Sequence, residues 1–589
     1  MCAFAQRVHL LCWQSLSVPK KRKARMAHYK YVVSLLMTIA LVPARAVGNE
    51  PPKVVVKGRH DPSTVIVKGV RDPSAWFRIE SQHLIVYSND DPDEVIELVN
   101  NLERLDFVLR LYLKPFLEGP ETLPKLTLYF QGRGKWPTES ADRPGPVVGM
   151  ANRCIPATQA FTHSSGKSWK LDNGSLLRAD DDYTLMTNLW LYAGNFLYRH
   201  TRIRAPRWFI AGYSAYFGGM RFTDNQMLVG RDAGTSYNLL QELDNGGVRR
   251  ISFDAVLHGQ VPSGHYAVGS SGYLKQWEFL GRSFNLVHYM LSSEDNRNKM
   301  AQYLESVNAG NDPAAAFADV FGIGGIELGA AMWRYREASM KVLQVEVPEL
   351  PRASIDFTRL SRIEGEVVLD NAMLKTCPAP ADGRKLLARL HTVAAGAPAV
   401  DLAQIALSRA QIDWGNPADA IGYLSRAVEN DPYNPEPLYL LGLARAKLAE
   451  SAGHDKQDLL AAARRDLTEA VLLAPEAPDV SYALFRVGLM GTDPSEKDMA
   501  RAIDAWHRGR DVAAFARAAA LASAWLGDAA GAYQVFNTLA RNTREPENAA
   551  WATNWLARLD KGVAREELLA AMRSEQPGLA GYRTWVQGD

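Results

Sequence analysis

The side chains best suited to chemistry in this chain are its histidines, above all His163, His200, His265 and His288. A neutral imidazole can hold zinc or act as a base near neutral pH. A hydrolytic zinc site asks for three protein ligands and one open position, and two of the ligands are most simply supplied at i and i+4 on one helical turn. The four histidines named have no such spacing. The patterns H-E-x-x-H, H-x-x-E-H and C-x-x-C do not occur in the 589 residues. A hydrolase with an active site rebuilt from these scattered imidazoles is one reading of the chain, and a protein without catalysis is the other. Glu103 and Asp106 could serve as acids but fall on a helix where charges are ordinarily solvated. Asp180, Asp181 and Asp182 are read as a helix cap with favourable dipole charges. Cys154 and Cys377 are either a disulfide or two buried thiols.

The elements that would have to position such groups lie between Asp182 and Met220, a stretch with the pattern of helix, turn and helix. Leu189–Leu197 followed by Pro206–Phe217 resembles the peptidase-MA-like (gluzincin) metallopeptidases. Their first helix reads roughly HEYxHxF and their second P-x-W-x-x-E-G-x-A-E-Y-F. Tyr192, Phe196, Pro206, Trp208, Gly212, Tyr216 and Phe217 agree with that frame. The reactive positions do not: Trp190 replaces the first histidine, Leu191 the general-base glutamate, Gly194 the second histidine and Ala211 the glutamate ligand. Ala215 stands at the family's second glutamate. The resemblance thus implies a degenerate site with no metal and no cofactor, whose remaining cleft would be lined by Tyr192, Trp208, Tyr213 and His288.

A second stretch, Tyr273–Leu291, is similar to the family's S-W-x-L-V-H-Y-L helix through Ser283, Leu286, Val287, His288 and Tyr289, with Phe284 in place of tryptophan. His288 is read as a buried packing histidine. Upstream, FRIESQHLIVYS alternates as a strand or hairpin. Asp91-Pro92-Asp93-Glu94 opens a helix that runs to Leu113, and KLTLYFQ is a further strand. Residues 132–181 are irregular. Helices over Lys299–Val307, Pro313–Val320 and Glu327–Tyr335 complete the likeness. The expected fold is an α+β gluzincin-like domain over residues 76–340, a Pro-rich connector over 341–395, and an all-α repeat domain over 396–589.

The repeat domain is carried by spacing. Asp401–Asn434 fits the 34-residue tetratricopeptide (TPR) template through Leu407, Ala420, Leu424, Ala427 and Pro432. A second unit begins at Pro435 and closes with Ala463, Leu467, Ala470 and Pro475. Looser units follow at Pro478–His507 and Asp511–Ala540, and Trp551–Leu559 reads as a cap. Such arrays hold a protein or peptide in a concave groove, so the expected partner is of that kind.

The composition is 47% hydrophobic and 22% charged with a net charge of +2, which gives no electrostatic reason to expect nucleic acid as a partner. Residues 1–25 are read as an upstream extension. Met26 to Ala46 has the basic start, short apolar run and A-x-A ending of a signal peptide. The mature chain is expected to be periplasmic or extracellular, with no stable membrane anchor, and residues 47–75 to be an extended arm or spacer.

Overall fold

The computed structural model describes residues 54–575 apart from 57–64, 69–72, 118–122, 133–149, 155–156, 165–182, 202–204, 224, 232–250, 260–270, 310, 338–339, 347–351, 377, 452, 511 and 541–545. The signal segment, Asp180–Asp182, His265 and Cys377 lie outside the described residues.

Strands that alternate in sequence form the centre of the first half. They are β1 (Val54–Val56), β2 (Val65–Lys68), β3 (Pro73–Glu80), β4 (Leu84–Ser88), β5 (Leu126–Gln131), β6 (Met150–Cys154) and β7 (Ala157–His163). With the later β11 (Asp356–Ser361) they make one eight-stranded sheet in the order β1-β2-β11-β3-β4-β5-β7-β6. β3 and β4 are an antiparallel hairpin with Ile79 opposite Val86. β4, β5 and β7 run parallel. Joining β4 to β5 in parallel needs a crossover, which α1 (Pro92–Tyr112) supplies. Asp91 caps it by accepting from the Asp93 and Glu94 amides, with Pro92 at the first position.

Period-two alternation gives the sheet two apolar faces. Leu84, Val86, Leu126, Leu128 and Phe130 join the main core with α1. On the opposite face Tyr87, Tyr129 and Phe161 stack in a row, with centroids 5.2 Å apart at each step.

Three segments differ from expectation. Residues 47–75 contain the paired strands β1 and β2 rather than a bare spacer. Residues 132–181 contain the hairpin β6–β7. The connector 341–395 is folded: it holds β10 (Leu343–Glu346), β11, α9 (Arg362–Leu374) and α10 (Pro380–Ala395). Short strands carry little periodic signal, and these are fixed by distant partners. Phe357 on β11, for example, stacks on Phe77 at 5.1 Å.

The remaining elements of this half are α2 (Tyr183–His200), α3 (Arg207–Gly218), β8 (Arg221–Phe222), β9 (Gln226–Val229), α4 (Phe253–Leu257), α5 (Ser271–Leu291), α6 (Glu294–Ala309), α7 (Pro313–Phe321) and α8 (Gly325–Glu337). β10, β9 and β8 form a small second sheet. Among the described residues no single helix is long and apolar enough to cross a membrane, although α7 and α8, bent by 62°, pass together on length and composition.

The second half is a run of helices: α11 (Asp401–Trp414), α12 (Ala418–Asn430), α13 (Pro435–Ser451), α14 (Lys456–Leu473), α15 (Pro478–Met490), α16 (Glu496–Arg508), α17 (Ala513–Trp525), α18 (Ala529–Ala540), α19 (Pro546–Leu559) and α20 (Arg565–Glu575). From α11 to α19 each packs on the next, as a helical repeat requires, and α20 folds back on α17 and α15. Small residues permit the close approach: Ala420, Ala463 and Ala470 are fully buried, and a Cβ added at Gly442 would lie 2.6 Å from Leu467. The helices α9 and α16 both start with a capping box, Ser361 with Glu364 and Ser495 with Asp498.

Candidate functional site

The helices α2 and α3 pack directly on one another. Trp190, Leu191, Gly194, Ala211 and Ala215 are half-buried on this pair, whereas Leu189, Tyr192, Phe196, Trp208, Tyr213 and Phe217 join the core. Gly194 is a close-contact position. A Cβ there would meet Ser214 Oγ at 2.7 Å and Ile210 at 4.0 Å. Gly218 likewise takes Trp190, whose Cβ lies 3.1 Å from where a side chain would begin.

The expected cleft wall is corrected by burial. Trp208 and Tyr213 have no exposed surface, and Tyr192 and His288 have 5% and 2%. Their large aromatic area is spent inside the domain. Trp208 packs edge-on to Phe209, and Tyr213 against Phe217 at 4.6 Å.

His288 is held at both nitrogens. Nε2 lies 3.1 Å from the Gly230 carbonyl, which can only accept, so Nε2 carries the proton. Nδ1 then accepts from the Tyr335 hydroxyl at 2.7 Å. Burial pushes the imidazole down to about 4. Because the folded state favours the neutral ring, its contribution to stability is complete above the unfolded value near 6.5. It is lost as pH falls from there toward 4. We expect His288→Gln to flatten the pH dependence of the urea midpoint over that window, a change of about 3 kcal/mol at the acid end. An unchanged slope in the variant would reject this assignment.

The other imidazoles are dispersed. His163 is exposed at the end of β7. His200 stacks on Phe196 at 4.3 Å and is driven well below its usual range by burial, with Arg199, Arg110 and His83 adding positive charge around it. Among the described residues no group of three or more His, Cys, Asp or Glu side chains could hold a metal ion.

The ionisable cluster that the structure does assemble is a different one. His83, in the β3–β4 turn, brings Nδ1 within 2.6 Å of Glu103 Oε2 and 3.6 Å of Asp106. Glu103 also accepts from Ser81 Oγ at 2.6 Å and from the His83 amide at 2.9 Å. Asp106 accepts from Arg110 Nε at 2.6 Å and from the Tyr192 hydroxyl at 2.8 Å. Glu103 and Asp106 are therefore buried acids, not the solvated charges expected from the helix pattern, because the hairpin turn and α2 close over that face of α1. Burial by itself would raise Glu103 and lower His83, but their mutual hydrogen bond and charge reverse both shifts. His83 ends up raised and Glu103 lowered. The sequence signal for this group is a carboxylate pair at i and i+3 of α1, within the stretch that also carries its apolar face.

A second polar cluster lies where the sheet meets the helical run. Glu436, in the first turn of α13, accepts from Arg409 of α11 at 2.8 Å and lies 3.6 Å from Lys375, which follows α9. Asp479, at the start of α15, is raised to about 6 by burial, and Arg409 and Lys375 oppose the rise. Across from them Tyr87 and Tyr129 on the sheet feel the Glu436 charge. Trp76, Tyr129 and Phe161 form a common apolar cluster with Val368, Leu369 and Ala372 of α9. At the far end Arg573 of α20 donates to the carbonyls of Leu489, Gly491 and Thr492. The array thus already carries parts of its own chain, at its first helices and again at α15.

No family model matches this sequence, and no curated protein matches it. Among solved structures the chain is similar to a thermophilic TPR protein from Thermus thermophilus, at 17% identity and a TM-score of 0.28, over 33% of this chain and 99% of that one. At that overlap the helical repeat rests on this chain's own stacked helices rather than on the likeness.

Proposed function

We propose that the protein is an exported, non-catalytic interaction scaffold. In this reading the sheet-bearing half keeps the framework of a gluzincin-type peptidase without its working groups, and TPR-like repeats bind a protein or peptide partner. The observation that carries the loss of catalysis is that Trp190, Leu191, Gly194 and Ala211 bring no ligating side chain onto the α2–α3 pair, where a Cβ at Gly194 would already meet Ser214 Oγ at 2.7 Å. Protein binding is supported by the stacked helices, whose inter-helix surfaces recur along the array. Since the sheet already lies against its first helices and α20 against α15 and α17, a partner either uses the edges of the array or displaces those segments.

Three measurements test this reading. Purified full-length protein, supplied with zinc, should retain no stoichiometric metal, and bound zinc with turnover lost on chelation would reject it. A partner captured from the envelope fraction should slow amide exchange in α11 to α18, whereas protection confined to residues 73–346 would oppose a repeat-borne site. Export is checked by sequencing the mature N-terminus, where Val47 is expected.

One observation favours a hydrolytic alternative. The Nδ1 side of His83 is oriented by a buried carboxylate, while the ring is 38% exposed. A carboxylate-oriented imidazole is the arrangement of a general base. Turnover abolished by His83→Gln but retained on chelation would select this alternative.

A further inference from the structure

A cavity of about 620 Å³ lies between the start of α4, the face of α5 and the whole length of α8. That volume suits a small ligand or a single anchored residue. Its apolar wall is made by Phe253, Ile326, Met332 and Trp333. Ile326 is 94% exposed and Trp333 43%, so the apolar wall of the cavity continues onto the surface.

The polar groups of the cavity are few and convergent. Arg282 and Asn285 are one turn apart on α5, and Arg336 closes the other side from α8. Asn285 is 5% exposed, yet its carboxamide has no hydrogen-bond partner among the described residues. A carboxamide that borders a cavity and bonds to no described side chain is suited to pair with a ligand there. Arg282 spends Nε and Nη2 on Glu278 Oε1 at 2.9 and 2.7 Å, which leaves Nη1 without a partner among the described residues. Arg336 stacks on Trp333 at 4.4 Å. The lining carries the guanidiniums of Arg282, which shares its charge with Glu278, and of Arg336, beside the carboxylate of Asp254, which itself lies 3.6 Å from His258.

A separate feature of α8 agrees. Gly329 stands in the middle of this helix with a negative φ, and a Cβ added there would touch nothing within 4 Å. A helix-interior glycine costs roughly 1 kcal/mol relative to alanine, and here no neighbour demands it. What the missing side chain preserves is the open floor of the cavity.

We propose that this cavity binds the C-terminal residue of a peptide with an apolar side chain. The side chain would rest on Trp333 and Met332, the carboxylate would meet the guanidinium side, and the last peptide group would pair with the Asn285 carboxamide. An amide can both donate to a peptide carbonyl and accept from a peptide N–H. The site is separate from the repeat array and does not depend on its role.

The test is calorimetric titration of the full chain with three probes: N-acetyl-Ala-Phe with a free carboxylate, the same dipeptide as its C-terminal amide, and 3-phenylpropanoate. The free acid should bind, with the amide at least tenfold weaker and 3-phenylpropanoate weaker than the dipeptide. Gly329→Leu should fill the cavity and abolish binding, while Asn285→Leu should weaken it about tenfold. Thermal unfolding of both variants checks that the fold is kept, and Asn285→Leu carries the test should the bulkier plug misfold. Equal binding of acid and amide, equal binding of dipeptide and 3-phenylpropanoate, or wild-type affinity in Gly329→Leu would each overturn the proposal, as would failure of the free acid to bind.

Discussion

Asp106→Ala should lower the stability of the sheet-bearing half by about 3–5 kcal/mol, the range for breaking a buried charge cluster by removing one partner. The side chain is 2% exposed. It is bonded to Arg110 and Tyr192 at 2.6 and 2.8 Å, so its loss leaves a guanidinium and a phenol without their acceptor. Arg110 is 34% exposed and can turn toward water, which places the expected loss at the lower end of that range. Asp106→Asn preserves shape and one acceptor and should cost less than the alanine change. Urea unfolding followed by the exchange of α1 amides measures both, and a loss below about 1 kcal/mol for the alanine variant would remove the cluster from the account of stability.

The same cluster sets a pH window. Glu103 is lowered, so its contribution is present above the ordinary carboxylate range and disappears as pH falls through its folded value. His83 is raised, so its contribution is present below the ordinary imidazole range and is lost as pH rises through its folded value. Their joint contribution is therefore largest between roughly pH 4.5 and 6.5. His288 acts in the opposite sense over much of this interval, which is why its variant has to be compared with wild type rather than read alone.

The second large effect is expected at Gly212. A Cβ at this position of α3 would overlap the backbone carbonyl of Ser283 on α5 and approach Val287 at 2.8 Å. Backbone cannot rotate aside as a side chain can, so Gly212→Ala must push the two helices apart. The expected loss is about 3 kcal/mol, the upper part of the range for overpacking a core, after whatever alanine returns in helix propensity. Gly329→Ala is the matched control. It also adds one methyl to a helical glycine, but in open space, and should stabilise by up to about 1 kcal/mol. Two variants of the same chemical type with opposite signs would show that close approach, and not helix propensity, decides the first. Thermal denaturation of the pair decides it, and a Gly212→Ala protein as stable as wild type would refute the packing described for α3 and α5.

Much of the secondary structure was legible in the sequence because its signals are local. The Asp91-Pro92 start of α1, the hairpin around His83 and the helix pairs from Asp401 onward all follow from caps, alternation and the spacing of small residues. Gly194 and Ala211 could be marked as positions without ligating groups from residue type alone. The tertiary structure decided what those residues touch. It turned Tyr192, Trp208 and Tyr213 inward and gave His288 two partners, one just past β9 and one on α8. It drew β1, β2 and β11 into a single sheet and buried Glu103 and Asp106 under a turn and a helix far away in sequence. The physical reason is range: capping and periodicity act over a few residues, whereas burial and ion pairing depend on segments that meet only once the chain has folded.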